Sequence, residues 1–121
     1  MSNSPKPIYL SVDRAMEFIG DTHGVLSLLK TLQQTLSDDL PRLHDLIEKA
    51  DVYGANRILH QLKGFTPVFC VDGLVEHVVK VEAMSKHAEA GELRAAYSLL
   101  APQLETLRTE VANHLRLHPM D

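Results

Sequence analysis

The chain has 121 residues and a formal net charge of −4, and 45% of its residues are hydrophobic. This length fits one domain, and the acidic balance argues against nucleic acid as a main partner, because phosphate-backbone binding needs clustered lysine and arginine. Three tyrosines, three phenylalanines and no tryptophan leave aliphatic side chains to fill the core.

The ends of the chain and its single cysteine bear on location and domain limits. Cys70 has no partner for an intramolecular disulfide, which fits a reducing compartment. No apolar run suits a signal peptide or a membrane span, so we expect a cytoplasmic protein without membrane contact. We expect residues 1–10 to be a flexible arm and residues 11–118 to be one helical domain. The chain fits a complete small protein, with a terminal module of a larger kinase as the alternative.

Two helices are predicted in the first part of the chain. Ser11 or Asp13 could cap a short helix that ends at Gly20. A long helix follows from residue 21 or 22, and Pro41 should kink or break it, because proline lacks the N–H that the helix needs. Its apolar positions recur at helical spacing: Leu26, Leu29, Leu32 or Gln33, Leu36, Leu40, Leu43 and Ile47.

A third helix is predicted from near Asp51, and it carries His60. Its core face should consist of Ile58, Leu62, Phe65 and Phe69. His60 lies roughly 200° around the helix from Leu62 and should therefore face away from the core. The residues that share its outward face are Asn56, Lys63, Gly64 and Pro67. Pro67 should distort or shorten the helix end.

Two further helices complete the predicted fold. The fourth should begin after residues 72–73 and stop near Gly91, and the fifth should run from Glu92 to about Leu117 with a bend at Pro102. The inward residues of the fourth should be Leu74, Val78, Val81 and Met84 or Ser85. Those of the fifth should be Leu99, Leu104, Leu107, Val111 and Leu115. Short connections predict an all-α, antiparallel four-helix bundle with a short additional N-terminal helix.

The pentapeptide His60-Gln61-Leu62-Lys63-Gly64 is the strongest chemical signal in the chain. Residues three and four apart are neighbours on a helix, so Lys63 and Gly64 both flank the imidazole of His60. A neutral imidazole is a nucleophile, Lys63 could attract a phosphoryl group and Gly64 leaves room for one. The pentapeptide therefore has the minimum equipment for carrying phosphate on a histidine.

This pentapeptide resembles the histidine-x-leucine-lysine-glycine signature of histidine-containing phosphotransfer (HPt) domains, the carrier modules of two-component phosphorelays. The resemblance spans roughly residues 13–115 and includes Leu74 and the pair Val81-Glu82 on the next predicted helix. It implies a helical bundle that exchanges a phosphoryl group with an aspartate of a receiver domain. The partners would be receiver domains of response regulators and of a hybrid sensor kinase, and the carrier would be a monomer.

The resemblance also implies residue roles. His60 would be phosphorylated through Nε2, Lys63 would hold phosphoryl oxygens, and Gly64 would give the partner access. Glu82 would accept a hydrogen bond from Nδ1–H of His60. The partner-binding residues would be Gln61, Asn56 and Pro67. The chain has no phosphate-binding loop and no room for an ATP-binding domain, so it should not phosphorylate itself. Mg²⁺ is expected on the receiver, with no cofactor or metal site of the chain's own.

Two other functions compete with this interpretation. A non-catalytic HPt-like docking module could bind and regulate a receiver or a sensor kinase through an apolar surface around Phe65, Pro67 and Phe69. A small metal-binding bundle could use His114 and His118, although no third ligand is evident. The remaining histidines are expected at the surface or its boundary: His23, His44, His77 and His87. The three tyrosines form no recognisable group: Tyr9, Tyr53 and Tyr97.

Overall fold

The computed structural model describes residues 6–119 and contains five helices in that range. They are α1 (Val12–Ile19), α2 (Thr22–Glu48), α3 (Val52–Phe69), α4 (Asp72–Met84) and α5 (Ala90–Leu117). The all-α prediction is confirmed. Within residues 6–119, no helix is both long and apolar enough to cross a membrane.

Helices α2 to α5 form a four-helix bundle, and α1 packs against it. Helix α2 contacts α3 and α5, and α4 also contacts α3 and α5, while α1 lies against α2 and α3. The connections between successive helices are short, so neighbouring helices run antiparallel. Helix α3 therefore lies between α2 and α4 and keeps one face open to solvent.

Short polar side chains set the starts of the first three helices. Ser11, Asp21 and Asp51 are the N-cap residues, and each accepts a hydrogen bond from the backbone N–H three positions later, at 2.7–3.2 Å. Such caps pair an N–H that the helix leaves without a partner. Gly20 ends α1 with a φ of 94°, a left-handed conformation that glycine adopts without a side-chain penalty. The predicted boundaries of α1 and the predicted starts of α2 and α3 are therefore confirmed.

The core is mainly leucine, and two of the predicted core positions are wrong by one residue. Leu99 is 70% exposed and Leu100 is buried in its place, while on α3 Phe65 is only partly buried and Thr66 is fully buried. The buried positions of α5 follow alternating spacings of three and four: Leu93, Tyr97, Leu100, Leu104, Leu107 and Val111. A step of one residue rotates a side chain by about 100°. Leu99, five positions before Leu104, therefore leaves the inward face.

Three prolines lie inside continuous helices, so a break at Pro41 and a shortening at Pro67 are excluded, while a kink or a distortion there stays a prediction. Helix α2 is not broken at Pro41, and α3 is not shortened at Pro67, since it continues to Phe69. Pro41 and Pro102 are exposed, so the carbonyl that each leaves without an N–H partner can meet water. After Pro67 the helical hydrogen bonding continues, because the N–H of Cys70 donates to the carbonyl of Thr66 at 2.8 Å.

The boundary between α4 and α5 also differs from the prediction. Helix α4 ends at Met84 rather than near Gly91, and Gly91 is the second residue of α5. Ser85 is the C-cap of α4, and its backbone N–H donates to the carbonyls of Val81 and Glu82. A glycine in the first turn of a helix therefore does not mark where the preceding helix ends.

The segment before α1 is attached to the bundle. The backbone N–H groups of residues 8–10 donate to the carboxylate of Glu110 on α5. Leu10 is buried in the core and forms an isolated antiparallel bridge with Cys70. Residues 8–10 of the expected flexible arm are therefore attached to the helices, and residues 1–5 lie outside the described residues.

Candidate functional site

His60 projects outward from the middle of α3. Its side chain is 70% exposed, while its helix neighbours Leu59 and Leu62 are fully buried. One face of the helix is thus anchored in the core and the opposite face presents the imidazole to solvent. This orientation agrees with the one predicted from the spacing of the apolar residues.

Glu82 on α4 faces the imidazole from within the bundle, and its side chain has no exposed surface. Its Oε1 lies 3.7 Å from Nδ1 of His60, 3.2 Å from Nζ of Lys63 and 3.3 Å from Nζ of Lys86. A hydrogen bond between nitrogen and oxygen spans about 2.7–3.2 Å. Glu82 thus faces His60 as expected, but the expected hydrogen bond is not formed at this distance, and an approach of about half an ångström would close it.

The two lysines keep Glu82 ionised. Burial raises the pKa of the Glu82 carboxyl, whereas the hydrogen bonds and charges of Lys63 and Lys86 lower it, and the net effect is a pKa below the ordinary range. One buried negative charge thus lies among two ammonium groups beside an exposed imidazole. The cluster carries an excess of positive charge and favours an anionic group above it.

Lys86 is the site residue that sequence reasoning missed. It follows Glu82 by four positions, in the turn just past the end of α4 at Met84, and its ammonium group reaches back to Glu82. That spacing was a readable signal, but it is also common on solvated helix surfaces. What distinguishes Lys86 is that its partner is fully buried and is shared with Lys63 of another helix.

Gly64 borders open space beside His60. The residue is exposed, and a Cβ built on it would meet no atom within 4 Å. Nothing within the chain therefore requires a glycine at this position. The space above it is available to another molecule, and the access role implied by the sequence resemblance stays a prediction.

The three residues predicted to bind a partner have different surroundings. Gln61 is exposed, while Asn56 and Pro67 are partly buried. The Nδ2 of Asn56 donates to Oγ of Ser85 at 2.7 Å, which ties this side chain to the end of α4. Gln61 is therefore the most accessible of the three.

The apolar surface that motivated a docking module is smaller than expected. Phe69 belongs to the core at 6% exposure, and Phe65 and Pro67 are only partly exposed. The helix turns Phe69 inward because it continues the spacing of Leu62 and Thr66. The side chains around His60 are consequently more polar than the sequence suggested.

The alternative metal pair, His114 and His118, has no third ligand among the described residues. The rings of His114 and His118 are stacked, with their centroids 4.2 Å apart. Burial, with a smaller contribution from His118, lowers the pKa of His114. Within residues 6–119, no group of three or more histidine, cysteine, aspartate or glutamate side chains is placed to hold a metal ion.

A second histidine network, between α2 and α5, was not predicted. The hydroxyl of Tyr97 lies 2.9 Å from Nδ1 of His44, and Nε2 of His44 lies 3.4 Å from Oε1 of Glu105. Burial, and then the charge of Glu105, raise the pKa of Tyr97 well above its usual range, so its hydroxyl stays protonated. No local spacing signals this contact, because His44 and Tyr97 are 53 positions apart.

Comparison with protein families agrees with this geometry. The family model described as Hpt domain matches residues 27–114, which is more than half of the chain and includes His60, Lys63 and Glu82. The chain therefore belongs to the Hpt domain family, whose members are phosphocarriers of two-component phosphorelays and interact with receiver domains. Comparisons with curated proteins and with solved structures give no match.

Proposed function

We propose that His60 accepts a phosphoryl group from a receiver-domain aspartate and passes it to a response regulator. The observation that carries this proposal is the exposed imidazole held opposite a fully buried, ionised Glu82. The imidazole is accessible to a second protein, and its inner nitrogen faces a carboxylate that can orient the ring. Accessibility and orientation together are what a phosphohistidine carrier needs.

The chemistry uses both ring nitrogens of His60. With its proton on Nδ1, the neutral ring keeps the lone pair of Nε2 for attack on phosphorus. The Nε2–P bond forms as the P–O bond to the receiver aspartate breaks, and that carboxylate leaves with the electron pair. The ring becomes positively charged, and its Nδ1–H faces Oε1 of Glu82. The buried carboxylate thus stabilises the charge that develops during transfer.

The neighbouring residues act on the transferred group. Lys63 and Lys86 carry flexible ammonium groups that can turn from Glu82 towards the phosphoryl oxygens. Gly64 leaves space for the approaching receiver domain. The receiver is expected to supply Mg²⁺ and most of the transition-state stabilisation, while this chain positions the nucleophile.

The test is phosphotransfer from a radiolabelled phospho-receiver to the wild type and to His60→Gln. We expect label on the wild type only, labile in acid and stable in base, as a phosphohistidine is. His23→Gln is the matched control, because it removes another exposed helical histidine and should leave labelling unchanged.

Two outcomes would contradict the proposal. Equal labelling of His60→Gln and the wild type would place the phosphate elsewhere. Receiver binding that persists in His60→Gln, with no label on the wild type from any of several receivers, would favour the docking-module alternative.

A further inference from the structure

Asn56 and Ser85 form a short polar bridge between α3 and α4 beside His60. Asn56 Nδ2 donates to Ser85 Oγ at 2.7 Å, and Ser85 Oγ donates to the backbone carbonyl of Glu82 at 2.6 Å. Asn56 lies one turn before His60, and Ser85 lies three residues after Glu82. The bridge therefore joins the helix that carries the imidazole to the helix that carries the carboxylate, within one turn of both groups.

The directions of these hydrogen bonds are determined by their chemistry. A serine hydroxyl has one proton, and here that proton goes to the Glu82 carbonyl, so the oxygen must accept from Asn56. On Asn56 only the amide NH₂ group can donate a hydrogen bond to this oxygen, and an ionised aspartate at position 56 could not donate one. Ser85 is 3% exposed, so water has little access to replace a lost partner.

Among the described residues, the other hydrogen bond between α3 and α4 near His60 is made by Lys63, which donates to Glu82 at 3.2 Å. Its side chain is long and partly exposed, so it retains rotational freedom and constrains the helices weakly, while Lys86 follows Glu82 in the same segment and does not join the two helices. The distance from Nδ1 of His60 to Oε1 of Glu82 is 3.7 Å, just beyond a hydrogen bond. A small change in the separation of α3 and α4 therefore decides whether that bond forms.

We propose that Asn56 and Ser85 are positioning residues, which hold α3 and α4 at the spacing that lets Glu82 accept the Nδ1–H of His60. The proposal rests on the proposed function of His60. It assigns Asn56 a positioning role within the protein, in place of the partner contact that the sequence resemblance implied.

The first experiment measures transfer from a phospho-receiver at varied concentration to Asn56→Ala, Ser85→Ala and the double variant. We expect each single variant to lower the transfer rate at saturating receiver about tenfold, because misplacement of a reacting group is costly. The apparent KM for the receiver should stay within about twofold of the wild type. The double variant should be no slower than either single one, since both remove the same bridge.

The second experiment needs no phosphate. Nitrogen NMR of the His60 imidazole in the unphosphorylated protein reports which ring nitrogen carries the proton. Asn56→Ala and Ser85→Ala should each lower the Nδ1–H fraction, and Ser85→Thr, which keeps the hydroxyl, should restore both this fraction and the rate. Ser98→Ala is the matched control, because Ser98 makes the same hydroxyl-to-carbonyl bond within α5 without a partner on another helix.

The outcomes separate this proposal from its alternatives. A raised KM with an unchanged rate would make Asn56 a receiver contact and overturn it. An unchanged transfer rate and an unchanged Nδ1–H fraction of His60 in both single variants would show that the bridge does not position His60. That result would also overturn the proposal. A wild type that never accepts phosphate would refute the proposed function, and the tautomer measurement would still decide whether the bridge orients His60.

Discussion

Two histidines of this bundle face a carboxylate on a neighbouring helix. They differ in how many ring nitrogens have a partner and in how far the carboxylate is buried. His44 on α2 has both ring nitrogens engaged, by the hydroxyl of Tyr97 and by Glu105 on α5. His60 on α3 has one nitrogen facing Glu82 of α4, and most of its ring is exposed. In the first network the carboxylate is partly exposed, whereas in the second it is fully buried.

The difference shows what makes a histidine available for chemistry. A ring held at both nitrogens must break a hydrogen bond before it can attack another molecule. An exposed ring above a buried, ionised carboxylate keeps its outer nitrogen accessible, while its inner nitrogen points towards the carboxylate. The His44 network (His44, Tyr97 and Glu105) therefore links α2 to α5. The His60 cluster (His60, Lys63, Glu82 and Lys86) instead presents a nucleophile.

The largest expected difference between the two regions comes from replacing their carboxylates. Glu82→Gln keeps the size of the side chain but removes the negative charge opposite the ring that becomes positive. We expect phosphotransfer to fall roughly 100-fold, as when a group that stabilises transition-state charge is lost. Glu105→Gln should leave the rate unchanged in the same single-turnover assay. Equal losses in the two variants would remove the distinction between the regions.

Gly64→Ala tests whether the open space at the His60 cluster serves a partner. The added methyl group meets nothing within the chain, so the free energy of unfolding should rise by up to about 1 kcal/mol, as expected for alanine in a helix. Phosphotransfer should nevertheless slow about tenfold, because the methyl group intrudes on the receiver. Gly91→Ala, equally free of contacts in α5, is the control and should not affect transfer. A full rate in Gly64→Ala would contradict the access role.

Tyr97→Phe tests the structural role of the His44 network. Loss of the hydroxyl removes the hydrogen bond to Nδ1 of His44, and we expect the free energy of unfolding to fall by about 1 kcal/mol. His60→Gln, at an exposed position, should change stability by less than about 0.5 kcal/mol. Urea unfolding monitored by circular dichroism measures both. A larger loss of stability in His60→Gln than in Tyr97→Phe would reverse the comparison.

The smallest expected effect is the pH dependence of stability that Glu82 contributes. Lys63 and Lys86 hold the pKa of Glu82 below its usual value despite its burial, so the unfolded chain binds the proton more readily than the folded one. The contribution of Glu82 to the free energy of unfolding is fully present above the unfolded-state pKa of about 4.3. It is lost as the pH falls through the lower pKa of the folded state. Urea unfolding at stepped pH should show a shallower loss below about pH 5 in Glu82→Gln than in the wild type. Identical slopes would contradict this account.

Much of the fold could be predicted because its signals are local. The caps at Ser11, Asp21 and Asp51 act within one helical turn, and the leucine spacing of α2 repeats over its whole length. The error in α5 arose where two apolar residues are adjacent. Leu99 and Leu100 are equally apolar, and the alternating spacing of three and four along α5 turns Leu100 rather than Leu99 towards the core.

The shared outward face of His60, Lys63 and Gly64 can be predicted from the chain alone, because the helical repeat places residues three and four apart side by side. The contact of Lys63 with the oxygen of Glu82 that Lys86 also reaches, and the full burial of that carboxylate, come from the packing of the helices. These contacts depend on the separation and rotation of α3 against α4. Groups far apart in the chain contribute to that packing, core side chains and the Asn56–Ser85 bridge among them, so no local spacing specifies it.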